Sequence, residues 1–142
     1  ELARLRRVLA VRAMLAEGES QREVAKRLGV TQPAISYQVA SARTAGVRPS
    51  DLIAAGGSIL RQVAERRGFT DLAVFGSAAR GDDRPDSDVD LLVQPPPGAD
   101  LSDMLRLQET LEAILDRGVD LVSYRGLDPT RDRDILRDKV AL

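Results

Sequence analysis

The residues predict a chain in two parts: an all-helical head over residues 1–48, and a body over 49–142 in which strands alternate with helices. The residues alone leave the body open between a small α/β and an α+β unit. Three observations carry this. Apolar residues in the first 45 positions repeat at helical spacing, punctuated by Gly18 and Gly29. Short apolar runs at 72–75, 89–93 and 120–122 read as strands. Charge divides at nearly the same point. Residues 1–50 hold nine Lys and Arg against four Glu, a net of +5; residues 51–142 hold twelve against eighteen Asp and Glu, a net of −6. A basic head on an acidic body suggests two tasks, phosphate backbone for the one and metal for the other.

Composition narrows the chemistry. The 142 residues are 43% hydrophobic and 30% charged, too apolar for wholesale disorder. Aromatics are 3% with no Trp, so the core must be Leu, Val, Ile and Ala. There is no Cys and no His. That excludes thiol nucleophiles, disulfides, imidazole bases and His or Cys metal sites. Catalysis must use carboxylates, hydroxyls, Lys or Arg, backbone dipoles and oxygen-bound metals. No apolar run reaches the roughly 18 residues of a membrane span and no signal peptide is visible, so no membrane partner and a cytoplasmic location are expected.

In the head, Leu2, Leu5, Val8, Leu9, Val11 and Leu15 mark a first helix, stopped by Gly18. Ser20 and Glu23 have capping-box spacing and open a second, with Val24, Ala25 and Leu28 as its apolar face and Gly29 at its end. Thr31 caps a third, with Pro33 in its first turn and Ala34, Ile35 and Val39 as its buried stripe. The run from Gln21 to Ser36 resembles the helix-turn-helix of bacterial transcription regulators. Ala25 lets the helices cross closely, and Val30 and Ile35 are expected to plug the gap. That resemblance implies a second helix entering the major groove. It would offer Thr31, Gln32, Ser36 and Tyr37 to base edges, with Arg22, Lys26, Arg27 and Arg43 on phosphates. Such heads usually read paired half-sites, so a homodimer is expected by analogy.

A hinge follows at 46–51, where Ser50 or Asp51 can cap a helix running to about Arg67. Gly56-Gly57 reads as a weak spot inside that helix. Residues 72–75 form a strand entering a tight turn at Gly76-Ser77, and 89–93 form a second strand. Leu101, Met104, Leu105, Leu111, Ile114 and Leu115 mark another helix before the third strand. Asp82, Asp83 and Asp86 read as a solvated loop. Arg131, Arg133, Arg137 and Lys139, interleaved with Asp132, Asp134 and Asp138, read as an exposed salt-bridged helix. Tyr37 and Tyr124 read as DNA contact or ordinary packing.

On the second strand, alternation sends Asp88 and Asp90 to one side and Val89 and Leu91 to the other. Two close carboxylates repel unless a cation sits between them. No Lys lies nearby, so a divalent metal is the economical answer, and magnesium shared with phosphate suits oxygen ligands. Gly76 and Ser77 offer backbone and hydroxyl to phosphate. Arg80 adds a cation on the same side, and Asp120 could join the pair.

The ordered string Gly76-Ser77-Ala78-Ala79-Arg80-Gly81, five residues, then Ser87-Asp88-Val89-Asp90-Leu91-Leu92-Val93 resembles the minimal nucleotidyltransferases of the DNA polymerase β-like superfamily. The resemblance covers roughly 52–142 and implies an α+β fold with a mixed sheet flanked by helices. It implies Mg²⁺-dependent transfer of a nucleoside monophosphate from a nucleoside triphosphate, ATP above all. Gly76 and Ser77 would hold the triphosphate, and Asp88 and Asp90 the metals. Asp120 matches the third acid, which activates the acceptor hydroxyl.

Fewer than 100 residues follow the head, too few for a template or drug domain. That size resembles the type VII-like antitoxin branch, encoded beside a HEPN-type toxin RNase. Its members attach AMP to a tyrosine of the toxin. Fusion to a helix-turn-helix would suit an antitoxin that represses its own operon by binding operator DNA. The rival expectation is a non-catalytic transcription regulator that senses nucleotide or neutralises a toxin by binding.

Overall fold

A computed structural model describes residues 2–142. In chain order the elements are α1 (Leu2–Ala16), α2 (Gln21–Leu28), α3 (Gln32–Ser41), α4 (Pro49–Arg66), β1 (Thr70–Phe75), α5 (Gly76–Arg80), β2 (Val89–Gln94), α6 (Leu101–Leu115), β3 (Val119–Ser123), a 3₁₀ turn (Tyr124–Gly126), α7 (Arg133–Asp138) and β4 (Val140–Ala141). The fold is α+β with a mixed four-stranded sheet in the order β3-β2-β1-β4. β1 pairs antiparallel with β2 and β4, whereas β2 and β3 run parallel across the α6 crossover.

Local chemistry sets the helix ends as the sequence predicts. Ser20 and Glu23 form a full capping box, and Gly29 closes α2 at φ 68°. Thr31 Oγ1 accepts from Ala34 N at the start of α3. A second capping box, Asp100 with Asp103 on α6, is not among the sequence expectations. α7 carries Arg137 paired with Asp134 and Asp138, as the charge pattern predicts, but it is shorter than expected: Arg131 and Asp132 pair ahead of it, and Lys139 lies beyond its end over the Tyr124 ring.

One face of the sheet, through Val74, Val89, Leu91, Val93, Val119 and Leu121, packs under α4 and α6. Leu9 and Ala13 of α1 belong to the same core. α1 therefore lies on α4 and α6, while its Val11 joins Val24, Ala25 and Ile35 in a separate small cluster. Gly56 explains the close crossing: a Cβ there would run into the Leu9 side chain. Gly56 is thus a packing device, and Gly56 and Gly57 are both buried.

Four expectations about apolar faces fail. Leu28, Val30 and Val39 are 42–47% exposed, and Ala34 is exposed too. Only Ile35 of α3 is buried, because so small a group of helices has room for one side chain at the crossing. The start of α4 also differs. Neither Ser50 nor Asp51 caps it: the helix begins at Pro49, and the carboxylate of Asp83 accepts from Ser50 N. Asp83 is therefore buried, not solvated. Asp82 and Asp86 are exposed as expected.

Candidate active site

The second face of the sheet carries the acidic residues. Parallel register sets Asp90 beside Asp120, and antiparallel register sets Phe75 beside Asp90. Asp88 stands just before β2, where Val89 N donates to Gly118 O at 3.0 Å. β1 ends directly in Gly76, whose φ of 69° turns the chain into α5. The predicted tight turn is thus the first turn of a short helix, with Arg80 at its end.

Two glycines make room for the carboxylates. A Cβ on Gly76 would collide with Asp90 Oδ2. A Cβ on Gly118 would stand 2.6 Å from Asp88 Oδ1. In the sequence Gly118 marks only the approach to the third strand. Its role beside Asp88 depends on the parallel pairing of β2 with β3, which no local signal encodes.

Electrostatics at this edge are unfavourable for the free protein. Asp90 is half-buried. Burial pushes its pKa above the usual carboxylate value, the charges of Asp120 and then Asp88 push it further, and Arg80 opposes them. Arg80 also reaches Asp82, 3.3 Å from Nε to Oδ2. Among the described residues, no three acidic side chains close into a ready-made metal cage. Magnesium seldom needs one, since it takes one or two carboxylates and completes its shell with phosphate and water. An all-oxygen, under-neutralised set whose neighbours lack Cβ atoms fits such an ion.

The comparisons decide the family. The sequence profile described as "Polymerase beta, Nucleotidyltransferase" matches residues 60–142. This chain belongs to that family. It is a nucleotidyltransferase, and protein adenylyltransferases stand among its relatives. The protein adenylyltransferase MntA of Thermococcus cleftensis is 39% identical over 80 residues, 56% of this chain and 81% of that protein. MJ0435 of Methanocaldococcus jannaschii is 35% identical over 75 residues, 53% of this chain and 81% of that protein. The solved structure of a protein described as a minimal nucleotidyltransferase is 40% identical with a TM-score of 0.60, covering 66% of this chain and 95% of that one. A solved toxin–antitoxin complex with AMP-PNP shares the fold at 22% identity and a TM-score of 0.50, over 56% of this chain and 66% of that chain.

The residues expected to meet DNA lie on α2, on α3 and in the segments flanking α3. Arg22, Lys26, Ser36, Tyr37 and Arg43 are exposed, Tyr37 at 75%. Three others are already engaged. Thr31 caps α3, Gln32 Nε2 donates to Gln21 Oε1 at 2.9 Å, and Arg27 pairs with Glu19. Tyr124 packs within the fold: its hydroxyl donates to Asp71 O at 2.8 Å and Lys139 sits over its ring. No helix among the described residues is long and apolar enough to cross a membrane.

Proposed function

We propose that this chain is an antitoxin that transfers AMP from ATP, with Mg²⁺, to a tyrosine of a cognate HEPN-type toxin. It also represses its own operon through the helix-turn-helix formed by α2 and α3, as a head (residues 1–48) carried on a transferase domain (49–142). The observation that carries the reading is the meeting of Asp88, Asp90 and Asp120 beside the Gly76 turn. The kinship with an adenylyltransferase named MntA supports the same reading.

Asp88 and Asp90, with Asp120, would hold Mg²⁺. Bound there with the triphosphate, the metal supplies charge neutralisation for an in-line displacement. Gly76 lets the backbone approach the triphosphate, Ser77 adds a hydroxyl, and Arg80 adds positive charge. Asp120, exposed beside Asp90, takes the proton from the acceptor tyrosine as its oxygen bonds to the α-phosphorus of ATP; the α-phosphorus bond to the bridging oxygen breaks and pyrophosphate leaves. In the head, the exposed Ser36 and Tyr37 with Gln32 face base edges, and the basic residues hold phosphate.

Intact-mass analysis tests the transfer. The protein encoded by the neighbouring gene is incubated with this chain, Mg²⁺ and each nucleoside triphosphate. The reading expects an AMP increment, lost when Asp88→Ala and Asp90→Ala are combined. A stable complex with no increment would replace it with the binding antitoxin. For the head, Gln32→Ala should weaken operator binding by about 1–3 kcal/mol. Unchanged affinity and specificity would remove Gln32 from base reading.

A further inference from the structure

Asp83 lies in the loop between α5 and β2, five residues before Asp88. Its side chain is 0% exposed. Oδ1 accepts from Arg48 Nη2 at 2.8 Å, and Oδ2 accepts from Ser50 N at 2.7 Å. The same Arg48 nitrogen donates to Gly81 O at 2.8 Å. Two residues past Asp83, Pro85 O accepts from Arg117 Nη1 at 3.0 Å, and Arg117 Nη2 donates to Thr44 O at 2.7 Å. Thr44 is buried, and its Oγ1 accepts from Arg12 Nη1 at 3.1 Å. The loop is thus tied at Gly81, Asp83 and Pro85 before the chain delivers Asp88 to the edge of the sheet.

Most of these ties come from an unexpected part of the chain. Arg48, Ser50, Thr44 and Arg12 all precede the stretch that matches the family, 60–142. A buried carboxylate is expensive unless it is fully paired, and an apolar residue of similar size often packs as well. Asp83 is paired on both oxygens, and its partners fix where the loop runs.

We propose that Asp83, gripped by Arg48 and the Ser50 N–H, is a positioning residue that fixes loop 81–87 and so sets Asp88 against Asp90. The segment before residue 60 is then part of the nucleotidyl-transfer apparatus. This rests on the reading of Asp88 and Asp90 as the ligands of metal and nucleotide.

The test measures amide hydrogen exchange and Mg²⁺-ATP affinity on the full chain. Wild type is compared with Asp83→Ala, Asp83→Asn and Arg48→Lys. Asp83→Ala should speed exchange across 81–88 at least about tenfold with α6 unchanged, and weaken Mg²⁺-ATP by about 10–100-fold, the usual penalty for loosening support behind a metal ligand. Asp83→Asn keeps an acceptor for Ser50 N and should fall between Asp83→Ala and wild type. Arg48→Lys, which keeps the charge but not the planar guanidinium that reaches both Asp83 and Gly81 O, should do the same. If the alanine variant does not fold, these two carry the test. Faster loop exchange with unchanged Mg²⁺-ATP affinity would overturn the positioning role alone. Wild type that binds no Mg²⁺-ATP would overturn the ligand reading with it.

Discussion

Asp83 and Asp90 are seven residues apart, and their surroundings push them in opposite directions. Burial by itself would raise the Asp83 pKa, but hydrogen bonds from Ser50 and Arg48 outweigh it and hold the carboxyl below its usual range. At Asp90 burial acts first as well, and there the neighbours Asp120 and Asp88 add to it. One carboxylate is satisfied by the fold; the other is crowded by like charge. The first pattern marks a structural tie, and the second is where a functional site is expected.

Glycine substitutions break the comparison most severely. Gly76→Ala forces a Cβ into the Asp90 carboxylate at a positive φ, so transfer should fall by about 100-fold, the scale of a 1 Å misplacement. The intact-mass time course reads it. Gly118→Ala meets only the carboxylate end of the exposed Asp88, which can swing aside, and should cost about tenfold, the low end of the penalty for disturbing the support of a metal ligand. Gly76→Ala without loss would mean that Asp90 is not held where the chemistry occurs.

Stability sharpens the contrast through its sign. Asp83→Ala orphans Ser50 N and should cost on the order of 1–3 kcal/mol, read by denaturant unfolding. Asp90→Asn removes a crowded charge and should raise the metal-free melting temperature by about 1–3 °C, the shift of a few tenths of a kcal/mol in a chain of this size. The pH windows differ accordingly. Because the folded pKa of Asp83 is lowered, its contribution is present above the ordinary carboxylate value and lost as pH falls through the folded one. For Asp90 the folded pKa is raised, so its contribution is present at low pH and lost as pH rises through the folded value. The gain from Asp90→Asn should therefore appear above that value and vanish in acid. A fall in melting temperature in both variants would remove the distinction.

The head offers a milder check. Its α2–α3 cluster is small, so local capping should matter there. Ser20→Ala should cost about 1 kcal/mol and speed exchange in α2 while leaving β1 and β2 protected.

Much of this was legible in the sequence because it is local. The Ser20–Glu23 capping box, the Gly29 stop and the apolar alternation of Val89 and Leu91 act within a few residues and stand as read, although β2 begins only at Val89, one residue after Asp88. What was illegible is non-local. The partner of Asp83 is 35 residues away, and nothing near Asp82-Asp83 tells the buried carboxylate from the exposed one. β4 spans two residues and exists through its pairing with β1. Leu28, Ala34 and Val39 fall on the expected helix faces and Val30 in the turn between them, yet the bundle has no layer to cover them. Gly56 reads as a weak helix position in the sequence because Leu9, the side chain that requires it, is 47 residues away.

The central claim is that the Asp88–Asp90 edge is half of a metal site, completed by the nucleotide. Titration of Mn²⁺ into the full chain, with and without ATP, tests it by electron paramagnetic resonance. Mn²⁺ should bind weakly alone and at least about tenfold more tightly with ATP than to ATP by itself, and Asp90→Asn should abolish that gain. Equal Mn²⁺ binding by wild type and Asp90→Asn in the presence of ATP would contradict it.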